Sequence, residues 1–126
     1  MSVLDAASFA AWGTTAVLAT WPAEVHPAAR AVLDEELAAI DRSCSRFRPD
    51  SEVTGLNRTP GRWVEVSPLL FEAVEVALRA ARQTDGAVDP TVGRAIRLLG
   101  YDRDFAELAP DGPPVRLAVA PVPGWQ

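Results

Sequence analysis

Cys44-Ser-Arg-Phe-Arg-Pro-Asp-Ser-Glu-Val-Thr-Gly-Leu-Asn57 is the stretch whose reading decides the fold, and Thr84-Asp-Gly-Ala-Val-Asp-Pro-Thr91 is its companion further along. In the first, Arg46 to Pro49 breaks a preceding helix, because proline lacks an N–H and clashes with the turn before it. Asp50 then stands where a carboxylate can accept from the open N–H groups of a short new helix, Ser51 to Leu56. Two arginines flank an aromatic ring in this bend. Phe47 can stack on a planar ring, and either arginine can pair with a phosphate. The competing reading makes Phe47 a core anchor and ties the arginines to Asp50 or Glu52.

In the second stretch Gly86 lacks a Cβ, so the loop can take a left-handed turn or let a ligand approach the backbone. Asp89-Pro90-Thr91 reads as a helix start, with Val92, Ile96 and Leu99 carrying the helix to Gly100. A helix start beside a glycine loop attracts anions through its unpaired N–H groups and its dipole. The alternative is plain punctuation: Gly86 ends one helix and Asp89 caps the next.

Working outward, Pro27 to Cys44 is helical in pattern. Ala29, Val32, Leu33, Leu37, Ile40 and Cys44 recur at spacings of three and four, with Arg30, Asp34, Glu35 and Asp41 facing away. Asp34, Glu35 and Glu36 do not converge on one metal ion, because successive helical residues diverge by about 100°; they form a solvated face. Gly61 and Arg62 to Val66 suggest a turn and a strand. Ser67-Pro68 starts a helix whose stripe is Leu70, Phe71, Val74, Leu78 and Ala81, and Asp85-Gly86 stops it. Gly13 to Trp21 reads as a strand ended by Pro22, after a lead-in from Met1 to Ala11. From Ala109 to Trp125 prolines interrupt the chain, and Val115 to Ala120 is a candidate strand.

The 126 residues suffice for one domain or part of one. Apolar content of 48% argues against disorder over the first hundred residues. The net charge of -5, with all twelve cationic side chains arginine, argues against nucleic acid as the main partner. No apolar run approaches the roughly 20 residues of a membrane span. The start shows no signal-peptide pattern, so the chain as given is expected in the cytoplasm. Cys44 has no second cysteine to pair with and falls on the apolar side of its helix, where it reads as a small buried hydrophobe. His26, the single histidine, precedes that helix and reads as an exposed bystander.

Taken together, the two stretches resemble the ApbE family of flavin transferases. There a Ser-x-Tyr-Arg-Pro-Asp-Ser-Glu-Leu-x-x-Leu-Asn segment precedes Thr-Asp-Gly-Ala-Phe-Asp-Pro-Thr-Val-Gly. Trp12-Gly13-Thr14 is similar to the family's Met-Gly-Thr opening strand, and Pro123-Gly-Trp125 to its approach to the central region. The resemblance implies an α+β fold, with helices packed on a small, mostly antiparallel sheet that is incomplete without a C-terminal half. Residues 1–108 would form the N-terminal part of the transferase domain, and 109–126 a Pro/Gly-rich tail leading to the missing half. It also implies FAD contacts at Trp12, Phe47, Ala87, Val88 and Asp89. Trp12 stands for the family Met, Phe47 for a Tyr and Val88 for a Phe, so one hydroxyl hydrogen bond is lost and one ring is smaller.

The activity so implied is FAD:protein FMN transfer, from FAD to a Thr or Ser of a target flavoprotein, with release of AMP. Family members are often exported. The family's Lys-Gly segment, its magnesium ligands near Asp-Ala-x-x-Thr and its His do not occur in this chain. Mg²⁺ is therefore expected through the C-terminal half, and no catalytic or metal-binding residue is assigned here. Two other readings remain: a non-catalytic flavin-binding module and an inactive fragment.

Overall fold

A computed structural model of the chain describes residues 3–112 and 121–126. Two strands, β1 (Asp5–Ala11) and β2 (Thr14–Thr20), form an antiparallel hairpin with Ala11 paired to Thr14 and Asp5 to Thr20. The expected lead-in is thus largely strand β1. Its Ala-rich sequence has little strand propensity, and the register with β2 makes it a strand. Trp12 and Gly13 form the two-residue connection with φ of 49° and 74°, the positive values that match a tight hairpin turn to strand twist. Side chains alternate: Ala7, Phe9, Ala16, Leu18 and Thr20 face inward, while Ser8 and Val17 face out.

Helix α1 (His26–Cys44) follows a 3-10 turn at Ala23–Val25 and packs on β2. Its predicted apolar face is turned inward except at Val32, which is exposed. Arg30, expected to face away, is half-buried, with its guanidinium 3.8 Å from the centre of the Phe9 ring. His26 is also no bystander. Its side chain is only 13% exposed, and its Nδ1 lies 3.1 Å from Thr20 Oγ1 and 3.6 Å from Asp5 Oδ2. It ties the start of α1 to both strands.

Helices α2 (Glu52–Asn57) and α3 (Pro68–Gln83) pack against α1. The cap of α2 is Ser51 rather than Asp50: Ser51 Oγ accepts from the Thr54 N–H, and Arg48 grips the Asp50 carboxylate at 2.9 and 3.1 Å. The Ser67 cap of α3 is as predicted, its Oγ accepting from the Leu70 N–H. Leu70 and Ala81 of the α3 stripe are buried, and Phe71 and Val74 are exposed. Residues 62–66 are not a strand. Their β-prone sequence meets no partner ladder among the described residues, and Trp63 is fully exposed.

Helix α4 (Gly93–Leu98) starts later than the sequence suggests. Asp89 does not cap it. Its Oδ1 accepts from the N–H and hydroxyl of Thr91, closing a local turn, and Val92 occupies the cap position. A second 3-10 turn, Phe105–Glu107, packs beside the hairpin connection. The candidate strand Val115 to Ala120 lies outside the described residues. No helix among the described residues is long and apolar enough to cross a membrane.

Candidate functional site

A cavity of about 370 Å³ opens where the end of α1, the bend after it, the hairpin connection and the segment after α4 meet. Trp12, Phe47 and Tyr101 supply aromatic surface to it. Ile40 and Cys44 of α1 and Ile96 of α4 add aliphatic surface, and Asp41, Arg46 and Asp104 bring charge. Such a wall, mostly apolar with a few polar groups, suits a planar ligand with a charged end.

Each aromatic group is held by local structure. Trp12 takes its direction from the positive-φ turn. A Cβ added at the adjacent Gly13 would come within 2.8 Å of Asp104 Oδ1 and 3.1 Å of Phe105 Cβ, so the 3-10 segment presses directly on that turn. Phe47 is carried by the bend that Ser51 organises: Ser51 Oγ lies 2.6 Å from the Ser45 carbonyl, and the Phe47 N–H donates to Ser45 Oγ. Tyr101 follows Gly100, whose φ of 97° turns the chain out of α4. The Phe47 and Tyr101 rings sit 5.5 Å apart, inclined at 57°.

The two arginines of the bend have separate fates. Arg48 is held by Asp50 and by Asp41, at 3.1 Å. Asp41, expected to face solvent, thus links α1 to the bend. Arg46 lies over both rings, 4.7 Å from the centre of Phe47 and 4.8 Å from that of Tyr101, and its Nη1 donates to the Tyr101 carbonyl at 3.5 Å.

Glu52 bonds neither arginine. Its carboxylate accepts from Ser43 Oγ at 2.7 Å, Ser67 Oγ at 2.6 Å and the Ser67 N–H at 2.8 Å. These bonds hold its pKa below the ordinary carboxylate value, the Ser67 hydroxyl first among them. Burial, with the Glu52 charge second, pushes the Cys44 thiol up, so it stays protonated at neutral pH and is a poor nucleophile.

Of the expected ligand residues, Trp12 and Phe47 line this cavity. Ala87, Val88 and Asp89 do not. Ala87 and Val88 are exposed and Asp89 is half-buried. The indole of Trp125 lies against their loop, since a Cβ at Gly86 would come within 2.9 Å of Trp125 Nε1. The sequence reading missed Tyr101. The available signal was a lone tyrosine directly after a helix-ending glycine. No group of three His, Cys, Asp or Glu side chains suited to a metal ion occurs among the described residues. These residues do not fit a magnesium site.

The ApbE family profile matches residues 12–126. An FAD:protein FMN transferase of Klebsiella pneumoniae (strain 342) is 31% identical over 104 residues, which are 82% of this chain and 29% of that protein. The chain thus spans less than a third of that curated relative. Among solved structures, the apo form of the flavinyl transferase ApbE of Pseudomonas stutzeri shares the fold, with a TM-score of 0.71 at 21% identity, over 87% of this chain and 38% of that one. The ApbE protein of Thermotoga maritima MSB8 matches with a TM-score of 0.70 at 30% identity, over 85% of this chain and 35% of that one. The hairpin, the three packed helices and the bend between them are thus an α+β arrangement of ApbE type, and the chain belongs to the ApbE family.

Proposed function

We propose that this chain forms the FAD-binding part of an FAD:protein FMN transferase. The observation that carries this reading is the meeting of Trp12, Phe47 and Tyr101 at one cavity, in a chain whose curated relative bears that name. Residues 1–108 form the cradle, with 109–126 leading on from it. Trp12 and Phe47 contact the flavin nucleotide, and the loop of Ala87, Val88 and Asp89 contributes from the side that Trp125 now touches.

In the reaction, a Thr or Ser hydroxyl oxygen of a target flavoprotein attacks the phosphorus of the FMN half of FAD. The bond between that phosphorus and the bridging oxygen breaks, AMP leaves with the electron pair, and the hydroxyl proton passes to a base. Attack by a neutral hydroxyl on a charged diphosphate is slow unless the phosphates are neutralised and held. This chain's share is binding and orientation. Cys44 is protonated and His26 is engaged with the hairpin, so neither is assigned the base. Mg²⁺ and the base are expected from the remaining length of a family domain.

The test is complementation. The chain is mixed with the remainder of a family transferase, FAD, Mg²⁺ and an acceptor flavoprotein. Covalent flavin on the acceptor, with one AMP released per label, is the expected result. FAD binding without label or AMP would instead mark a non-catalytic flavin module.

A further inference from the structure

We propose that Arg46 is the phosphate anchor of this cavity, the residue through which it prefers a phosphorylated planar ligand to the bare ring; the ligand class rests on the flavin reading above. Three half-buried arginines occur among the described residues: Arg30, Arg46 and Arg48. Arg30 is paired with Asp34, and Arg48 with Asp41 and Asp50. Arg46 has no carboxylate within ion-pairing distance among the described residues, although the chain carries a net charge of -5. Among the described residues its one hydrogen bond is the 3.5 Å contact to the Tyr101 carbonyl. A guanidinium has five N–H donors, so most of its donors remain open.

Two features make it a prepared anion ligand rather than a surface charge. The Phe47 and Tyr101 rings hold the guanidinium by cation–π contact, so little side-chain freedom is lost when an anion arrives. The group also lines the cavity, where water is partly excluded and charge-assisted bonds are stronger. Its anionic neighbours at the cavity are accounted for. Asp41 is paired with Arg48, which also holds Asp50, and Asp104 accepts from the Ala106 N–H in its own 3-10 turn. Among the described residues, Arg46 is the cationic side chain that lines the cavity, and it stands beside the aromatic wall, the combination a ring joined to a diphosphate requires.

Calorimetric titration of the whole chain with inorganic pyrophosphate, FAD and riboflavin tests this, comparing wild type with Arg46→Gln, Arg46→Lys and Arg82→Gln. The last removes the same charge from the exposed face of α3. Far-UV circular dichroism establishes that each variant is folded. Arg46→Gln should weaken pyrophosphate and FAD about tenfold or more and leave riboflavin unchanged. Arg46→Lys should fall between, keeping the charge without the fork, and Arg82→Gln should match wild type.

Loss of pyrophosphate binding in Arg46→Gln, with no flavin bound by any variant, would uphold the anchor and refute the flavin reading. Riboflavin binding as tight as FAD, or equal weakening of both by Arg46→Gln, would overturn the anchor and leave the flavin reading standing. Failure of wild type to bind pyrophosphate would overturn the anchor outright.

Discussion

Glu52 grips Ser67 at two points: its Oε2 accepts the backbone N–H at 2.8 Å and its Oε1 accepts the hydroxyl at 2.6 Å. With Ser43 on the same carboxylate, one side chain at the start of α2 fixes the end of α1 and the first turn of α3. All three bonds favour the ionised form, so the folded pKa is depressed. A group with this sign stabilises the fold above its unfolded pKa, and that stability is lost as pH falls through the folded value. Glu52→Gln should therefore lower Tm at pH 7, and the gap to wild type should close as pH falls below about 4.3. Thermal melts across this range check it; a gap that stays constant would contradict the assignment.

Leu70 is 2% exposed and its neighbour Phe71 is 58% exposed. Leu70→Ala truncates this buried side chain of α3 and should cost about 2–5 kcal/mol in urea unfolding. Phe71→Ala, despite deleting a larger group, should stay within about 0.5 kcal/mol.

Gly86 has a φ of 80° and sits under the Trp125 indole. Gly86→Ala should cost at least about 1 kcal/mol for the left-handed backbone alone, and it should also displace the indole and alter tryptophan emission. Adding Trp125→Ala should relieve the steric part and leave the backbone part. A double variant no more stable than Gly86→Ala would show that the two residues do not press on one another.

The protonated thiol of Cys44 should react slowly with iodoacetamide at neutral pH. Its rate should keep rising beyond about pH 8.5, where a free cysteine levels off. Mass spectrometry after timed quenching measures this. An early plateau would mean an activated thiol.

Phe47→Ala and Tyr101→Ala should each weaken FAD binding by about 1–3 kcal/mol, the range for loss of one stacking ring. Quenching of flavin fluorescence reports it. Ser8→Ala, on the outward face of β1, should leave binding unchanged.

Long periodic elements were the easiest to read in advance. The spacing of Leu33, Leu37 and Ile40 marks α1, and Ser67-Pro68 marks the start of α3, because local chemistry governs both. Strand β1 escaped the reading because pairing with β2, rather than propensity, makes it a strand; residues 62–66 have the propensity and no ladder. The choice of Ser51 over Asp50 as cap turned on Arg48 capturing Asp50, a side-chain competition that spacing does not reveal. Phe47 and Trp12 carried visible signals in their motifs. Tyr101 did not, since its nearness to Phe47 spans more than fifty residues and arises only when α4 folds back.

The Trp12 turn has a further consequence. Left-handed backbone favours glycine or asparagine, and a bulky ring there is strained. Selection for heat resistance alone would replace Trp12 with Asn or Gly and gain a firmer hairpin. The same change would strip the indole from the cavity wall. The tryptophan at this turn thus exchanges some hairpin stability for an aromatic face on the cavity wall.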